Sequence, residues 1–334
     1  MNAAAPGIAV LGTGSALGAR IQTNDAVCAA IPGLTPDWII EKTGIRQRFH
    51  LGPGETGSGL AATAARAAMA AAGVAAADIG LVIACTFSHD YAFPPLAVCL
   101  HRDLGLKGAH AFDIQANCAA FPTALTLAAD RMRADPGLSH ALLVGCEVLS
   151  PFVDPGDIDT AVYFSDGAGA LVLGPGAGDC GPLGAAFFTD SSTYEAVRLR
   201  AGGSGYPGGT GDGGFMAQNG LATWKQAVTH LPPTLRAACA RAGLGADQID
   251  LFVLHQANER LIDYVLRKLK VDPARAVVNV DAIGNTGAAS IPIALDAAVA
   301  AGRLKPGDTV ALAGVGAGFT FGATVWRWGE GVAP

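Results

Sequence analysis

The sequence predicts a duplicated α/β chain, and three observations carry that prediction. First, a segment recurs: Ala72-Gly73 followed by Ile79-Gly80-Leu81-Val82-Ile83-Ala84-Cys85 returns 170 residues later as Ala242-Gly243 and Ile249-Asp250-Leu251-Phe252-Val253-Leu254-His255. Second, an apolar run ending near Ile114, a loop holding Cys118 and a helical pattern through Leu125, Leu127, Ala128 and Met132 have a counterpart. It comprises a strand pattern Ala276-Val277-Val278-Asn279-Val280, the loop Gly284-Asn285-Thr286-Gly287, and a helix through Ile291, Ala294, Leu295 and Ala298. Third, both helices lead into a buried strand, Ala141-Leu142-Leu143-Val144-Gly145 and Thr309-Val310-Ala311-Leu312-Ala313-Gly314. Alternating buried strands and helices argue for a parallel-rich sheet in each half. The boundaries expected are 1–175 for the first half, 215–334 for the second and 176–214 for a glycine-rich connection. Within the connection, the glycine-dense stretch Gly202 to Gly214 reads as a mobile surface loop.

In chain order, Gly7-Ile8-Ala9-Val10-Leu11 reads as a buried strand and Gly12-Thr13-Gly14-Ser15-Ala16-Leu17-Gly18 as a tight turn at its end. The glycine spacing is not that of a dinucleotide loop, and no amphipathic helix or acidic ribose ligand follows, so nicotinamide chemistry is disfavoured. Thr35-Pro36-Asp37-Trp38 opens a short capped helix that leads into Gly44-Ile45-Arg46, Trp38 being a residue for packing or for stacking on a ring. The alanine-rich span Leu60 to Ala72 is a tightly packed helix ended by Gly73, Ile79 to Ala84 is a strand, and Phe93-Pro94-Pro95 is a rigid turn. Pro122 belongs in the first turn of a helix, where its missing N–H goes unused, so Cys118 falls at or just before a helix start.

Composition excludes several classes. The 334 residues include 51% hydrophobic residues and 45 glycines, yet no apolar run reaches membrane-spanning length. Met1 to Pro6 carries no positive charge ahead of the first apolar run, which argues against a secretory signal. Seven cysteines, with no CxxC pair, fit neither a zinc site nor a disulfide framework; a reduced, cytoplasmic protein without bound metal is expected. A net charge of −6 disfavours nucleic-acid binding.

Ligands of parallel α/β sheets collect at the carboxyl ends of the strands. Cys118, His255 and Asn285 each follow a buried strand or its loop and precede a helix. Taken singly they read as a buried thiol, a capping histidine and a turn asparagine; at comparable points of a duplicated unit they can meet. A helix N-terminus favours a thiolate, which can attack a thioester and store the acyl group. Histidine and asparagine can both donate to one oxygen where enolate charge develops, which is what decarboxylation of a malonyl thioester requires without a metal. Neutral His255 is also available for proton transfer. In the helix after His255, Arg260, Arg267 and Lys268 share a face, a local basic patch on an acidic chain. The bland reading of that patch is a solvated helix face.

The chain resembles a β-ketoacyl synthase III of the thiolase superfamily over essentially its whole length. The motifs are Cys118-Ala119-Ala120-Phe121, His255-Gln256-Ala257-Asn258, Gly284-Asn285-Thr286 with Ala288-Ala289-Ser290, and Gly316-Ala317-Gly318-Phe319-Thr320. Lys42-Thr43-Gly44-Ile45-Arg46 and Asp166-Gly167-Ala168-Gly169-Ala170 add to them. The resemblance implies a duplicated thiolase-like αβαβα five-layer fold, a homodimer, and no bound cofactor, with coenzyme A or acyl carrier protein thioesters as substrates. It implies Cys118 as acyl carrier, His255 and Asn285 as the enolate-stabilising pair, and the N–H groups of Cys118 and Gly318 as an oxyanion hole. Trp38, Asn258 and Phe319 would contact substrate, and Phe93 would reach the partner's acyl pocket. Lys225, Arg260, Arg267 and Lys268 would form the carrier-protein or coenzyme A patch.

Departures from the family pattern bear on specificity. After the Asp154-Pro155-Gly156-Asp157 turn, Ile158 stands where an arginine would pair with Trp38 on adenine. Lys42 replaces an arginine and Ser165 a glycine. Gln115-Ala116-Asn117 occupies a stretch usually made of small residues, and Ala317 interrupts a glycine triplet. These changes point towards specialised polyketide or fatty-acid-like metabolism. The runner-up activity is acyl transfer to a hydroxyl or amine of a natural product, and a third reading is a non-catalytic partner subunit.

Overall fold

The computed structural model describes residues 7–206 and 214–330. In the first half the elements are β1 Gly7–Leu17, β2 Arg20–Thr23, α1 Asn24–Cys28, α2 Pro36–Thr43, β3 Gln47–His50 and α3 Gly57–Ala72. They continue with β4 Ile79–Cys85, α4 Leu96–Asp103, β5 His110–Ile114, α5 Ala120–Ala134, β6 His140–Glu147, α6 Ile158–Ala161 and β7 Gly167–Gly176. Then follow β8 Gly181–Thr189, β9 Val197–Leu199, β10 Met216–Gln218, α7 Gly220–Arg241, β11 Leu251–Leu254, α8 Glu259–Leu269, α9 Val280–Ile283, α10 Ser290–Ala300, β12 Thr309–Gly316 and β13 Thr320–Arg327.

Two mixed sheets form, with orders β1-β7-β6-β4-β5 and β11-β12-β13-β8. Among the described residues, only the β6–β4, β4–β5 and β11–β12 strand pairings are parallel. The expectation of parallel-rich sheets is therefore corrected: each half folds back on itself through β6–β7 or β12–β13, which pair antiparallel. The central apolar cluster joins α5 and α10 to strands of both sheets, through Phe121, Leu125, Ile291 and Leu295. Helix α3 covers the outer face of the first sheet, and α7 and α8 cover that of the second. The result is five layers, helix–sheet–helices–sheet–helices, each sheet buried on both faces.

Local sequence explains the ends. Thr35 caps α2 by accepting from the Trp38 N–H, and Gly44 closes it in the left-handed conformation. Gly73 ends α3 with φ 64°. Among the described residues, no helix is long and apolar enough to cross a membrane.

Three local expectations are overturned. The stretch 12–17 is strand rather than turn: β1 runs on against β7 past an irregularity between Val10 and Gly12. Its glycines make room for a helix, since a Cβ on Gly12 or Gly14 would collide with the backbone of α3 at Ala68 or Ala64. The segment 276–280 is not a strand; it touches the sheet at a single bridge, Phe252 with Ala276, and Val280 opens α9. The Gln256 side chain replaces the missing ladder, donating to Val277 O and accepting from Asn279 N–H. Finally, residues 181–189, placed in the connection by the sequence, are strand β8, paired with β13 in the second sheet. Of the glycine-dense stretch, residues 207–213 lie outside the described residues.

Candidate active site

Two short 3-10 turns, Asn117–Ala119 and Gly287–Ala289, sit 170 residues apart and lead directly into α5 and α10. Each turn packs on a glycine in a strand of the opposite half. A Cβ on Gly314 of β12 would collide with the Cys118 carbonyl, and one on Gly145 of β6 would come within 2.6 Å of the Ala288 carbonyl. On β12, Gly316 gives the same clearance to the Ala116 carbonyl. This reciprocal docking is what brings the strand ends of both halves together. Cys118, His255 and Asn285 consequently line one cavity of about 850 Å³.

Cys118 lines this cavity and is half-buried. Burial, reinforced by the nearby Glu147 carboxylate, pushes its thiol well above the ordinary cysteine range. This shift opposes the pull of the helix start: a helix N-terminus contributes about 0.3–2 kcal/mol, whereas desolvating a charged group shifts its pKa by up to several units. Burial pulls the His255 pKa down to about 4 and keeps its ring neutral.

The rings and amides facing the cavity are oriented from behind. His255 Nδ1 lies 2.6 Å from Ser290 Oγ, which also accepts the Gln256 N–H at 3.3 Å. Among the described residues, Nδ1 is the one acceptor in reach of the Ser290 hydroxyl. With the hydroxyl hydrogen directed there, the ring's own hydrogen is assigned to Nε2, making Nε2 a donor. Asn285 Oδ1 accepts the Gly287 N–H at 2.9 Å, which leaves Nδ2 as the free donor. The Asn285 backbone is fixed too, accepting from Ser165 N–H and donating to Tyr163 O. The site therefore presents two oriented neutral donors beside a thiol.

Behind them lies Glu147 at the end of β6, completely buried. It accepts from the Phe87 N–H, the Thr86 hydroxyl and the Ser88 hydroxyl, and thus holds the loop after β4. Burial raises its pKa to about 8, moderated by hydrogen bonds from Ser88, Phe87, Ala288 and Thr86.

Other sequence-named residues divide. Asn258, Arg260, Phe319 and Lys42 line the cavity. Asn258 caps α8 through Oδ1 to Leu261 N–H, and Phe319 belongs to the core of the second half. Arg260 donates to the carbonyls of Glu41 and Ile40, closing the end of α2. Trp38, 37% exposed, and Phe93, 85% exposed, stand outside the lining, as do Lys225, Arg267 and Lys268. Lys268 stacks over Tyr264, whose ring meets Trp224 at the cavity wall, so a chain of contacts links the end of α8 to the mouth. Ile158 packs in the apolar cluster around Ile39. Gly318 adopts φ 125°, open only to glycine, between Ala317 and Phe319 of the wall.

The sequence reading named Ser290 within a motif but gave it no role; a serine opening the helix after the asparagine loop was the available signal. Glu147 was missed altogether, although a carboxylate ending a fully apolar strand is an anomaly visible in sequence. The apolar wall formed by Phe87, Leu149, Phe164, Leu199 and Met216 assembles from distant segments and gave no local signal.

Residues 112–191 match the model of 3-oxoacyl-[acyl-carrier-protein] synthase III, and residues 239–328 match that of its C-terminal domain. The chain is 43% identical to a β-ketoacyl-[acyl-carrier-protein] synthase III of Bordetella petrii over 95% of this chain and 97% of that protein. It is likewise 43% identical to one of Rhizorhabdus wittichii, over 96% and 98%. Among solved structures, 3-oxoacyl-[acyl-carrier-protein] synthase III of Aquifex aeolicus superposes with TM-score 0.89 at 31% identity, covering 96% of this chain and 100% of that one. A priming β-ketosynthase of a polyketide biosynthetic pathway gives 0.91 at 31%, covering 97% of both. With its five layers, its reciprocal turns and near full-length similarity, the chain belongs to the β-ketoacyl-[acyl-carrier-protein] synthase III family, of the thiolase-like α/β fold.

Proposed function

We propose that this condensing enzyme works through Cys118, His255 and Asn285. In the first step Cys118 Sγ bonds to the acyl carbon of a coenzyme A or carrier-protein thioester. The carbon–sulfur bond to the donor breaks, and the Cys118 proton passes to the departing thiolate. The N–H groups of Cys118 and Gly318 are assigned to the carbonyl oxygen as it gains charge. In the second step a malonyl-type thioester loses carbon dioxide, and His255 Nε2 and Asn285 Nδ2 hold the enolate oxygen. The enolate carbon then bonds to the acyl carbon, the bond to Cys118 Sγ breaks, and the sulfur takes a proton from water.

The observation that carries this reading is the back-side fixing of both donors. Ser290 engages His255 Nδ1 and the Gly287 N–H engages Asn285 Oδ1, so each side chain offers the cavity a neutral N–H. Acyl transfer to a hydroxyl or amine needs a nucleophile and a base, and gives Asn285 nothing to do.

The apolar wall supports an acyl chain as cargo, and Arg260 with Lys42 at the mouth supports an acidic carrier or a phosphate-bearing arm. Arg267, Lys268 and Lys225 are exposed and are assigned to the same carrier patch, and Phe93, highly exposed in the single chain, supports a homodimer in which it inserts into the partner. Ile158 in place of an adenine-clamping cation favours a specialised polyketide or fatty-acid-like pathway and a carrier-borne donor. Incubation with acyl thioesters and malonyl carrier protein tests the reading. The expected products are a β-ketoacyl thioester and carbon dioxide; an ester or amide formed without carbon dioxide would contradict it.

A further inference from the structure

Glu147 is completely buried at the end of β6, and two loops of the site meet on it. From the loop after β4, its carboxyl receives the Phe87 N–H at 3.3 Å, the Thr86 hydroxyl at 3.5 Å and the Ser88 hydroxyl. Ser88 Oγ already accepts the Val148 N–H, and Thr86 Oγ1 accepts the Ser88 N–H, so both hydroxyl hydrogens are free to point at Glu147. On the other side lies the turn Gly287–Ala289. Residues two apart on a strand share a face, and Gly145 and Glu147 both meet this turn from β6. Gly145 makes room for the Ala288 carbonyl, and the Ala288 N–H engages the Glu147 carboxyl. A Cβ on Gly287 would stand 2.8 Å from Glu147 Cγ and 3.4 Å from the Phe87 ring. Ionised, the carboxyl satisfies all of these donors; protonated, its hydrogen can be met only by turning a hydroxyl round. Its charge also reaches Cys118, whose thiol it helps push up.

We propose that Glu147 is a positioning residue that pins the Phe87 wall of the cavity to the turn behind Asn285, holding the acyl chain and the enolate donor in register. The turn side acts on Asn285, because the Gly287 N–H is what orients its amide. The loop side acts on the acyl chain, because Phe87 lines the cavity and packs with Leu149, Phe164 and Met216 in its apolar wall. This rests on the reading above, in which Asn285 Nδ2 holds the enolate oxygen. An amide of the same shape would turn N–H groups towards these donors, so the cradle selects a carboxyl.

The test uses Glu147→Gln, which keeps the shape and loses one acceptor, and Thr86→Val, which loosens the loop side alone. Thermal midpoints establish that they fold. Carbon dioxide release from malonyl carrier protein is followed in the Cys118→Ala background, with and without each substitution. Acylation of Cys118 by acyl-CoA thioesters of increasing chain length is followed separately by intact-protein mass. Losing one oxyanion donor outright costs about 10²–10³, so a donor kept but misaimed is expected to slow carbon dioxide release by about ten-fold in Glu147→Gln, in kcat with half-saturation unchanged. Release is expected to hold in Thr86→Val. A methylene fitted to an apolar pocket discriminates by about 10–200-fold, so a loosened wall is expected to cut the preference for the favoured chain over the next longer one by about five-fold in both variants. Parental carbon dioxide release in a folded Glu147→Gln, or a uniform loss of both steps with chain preference intact, would overturn the proposal. Unchanged chain preference in Thr86→Val would overturn it too, and decides the matter should Glu147→Gln fail to fold. Carbon dioxide release that persists at the parental rate in Asn285→Asp would instead overturn the reading it rests on.

Discussion

His255 and Ser290 lie 35 residues apart in sequence and 2.6 Å apart in space, joined from imidazole Nδ1 to hydroxyl oxygen with both groups buried. The contact fixes which nitrogen of the ring faces the chemistry. Ser290 opens α10, so the helix that fills the central layer also sets the state of the His255 ring.

Ser290→Ala removes that control. A buried hydrogen bond is worth about 1–2 kcal/mol, so carbon dioxide release from a malonyl thioester should slow by roughly 5–30-fold. The loss should appear in kcat with little change in KM. Steady-state release assays check it.

Asn285→Asp keeps the oxygen that accepts the Gly287 N–H and replaces the free donor with a second acceptor. Decarboxylation is expected to fall by about 10²–10³, as for the loss of an oxyanion donor. Acylation of Cys118 should persist, giving a stable acyl-enzyme visible by mass. A variant that loses both steps together would show that Asn285 serves the architecture of the site.

The pH dependence follows from burial. His255 has its pKa lowered from 6.5 to about 4 by desolvation. The folded state therefore binds this proton less readily than the unfolded chain. The stabilisation linked to the neutral ring is complete above 6.5 and is lost as pH falls through about 4, a total of about 3 kcal/mol. The ring changes charge near 4, so the rate of decarboxylation should pass through 6.5 without a break and respond only as pH falls towards 4. A pH–rate profile of carbon dioxide release checks this, and a midpoint near that of free histidine would contradict the buried, serine-bonded ring.

Gly314→Ala tests the reciprocal docking. The added methyl would meet the Cys118 carbonyl, a backbone atom with no rotamer to move into. Such overpacking costs about 1–3 kcal/mol, and here it must displace the nucleophile turn. The thermal midpoint should drop and Cys118 acylation should slow more than malonyl decarboxylation.

Much of this was legible before the structure. The duplicated spacing survives in the fold: Cys85 ends β4 and His255 follows β11, and the turns holding Cys118 and Ala288 keep the same offset. Cys118, His255 and Asn285 were readable because each sits where a buried strand meets a helix. What sequence could not give depends on distance in the chain. The glycines of β1 read as a turn because the helix they accommodate arrives some fifty residues later, at Ala64 and Ala68. The apolar pattern at 276–280 read as a strand because the Gln256 side chain that supplants its ladder is invisible to a periodicity argument. At Cys118 the helix start favours the thiolate while burial, which only the packing reveals, pushes the thiol pKa up.

The most direct test of the account is intact-protein mass spectrometry after exposure to acyl-CoA and acyl-carrier thioesters, followed by a malonyl thioester chase. The account predicts a single acyl increment on Cys118, absent in Cys118→Ala, that malonyl thioester discharges with release of carbon dioxide. An adduct that malonyl thioester leaves in place and an alcohol or amine removes, or no adduct from any donor, would contradict it.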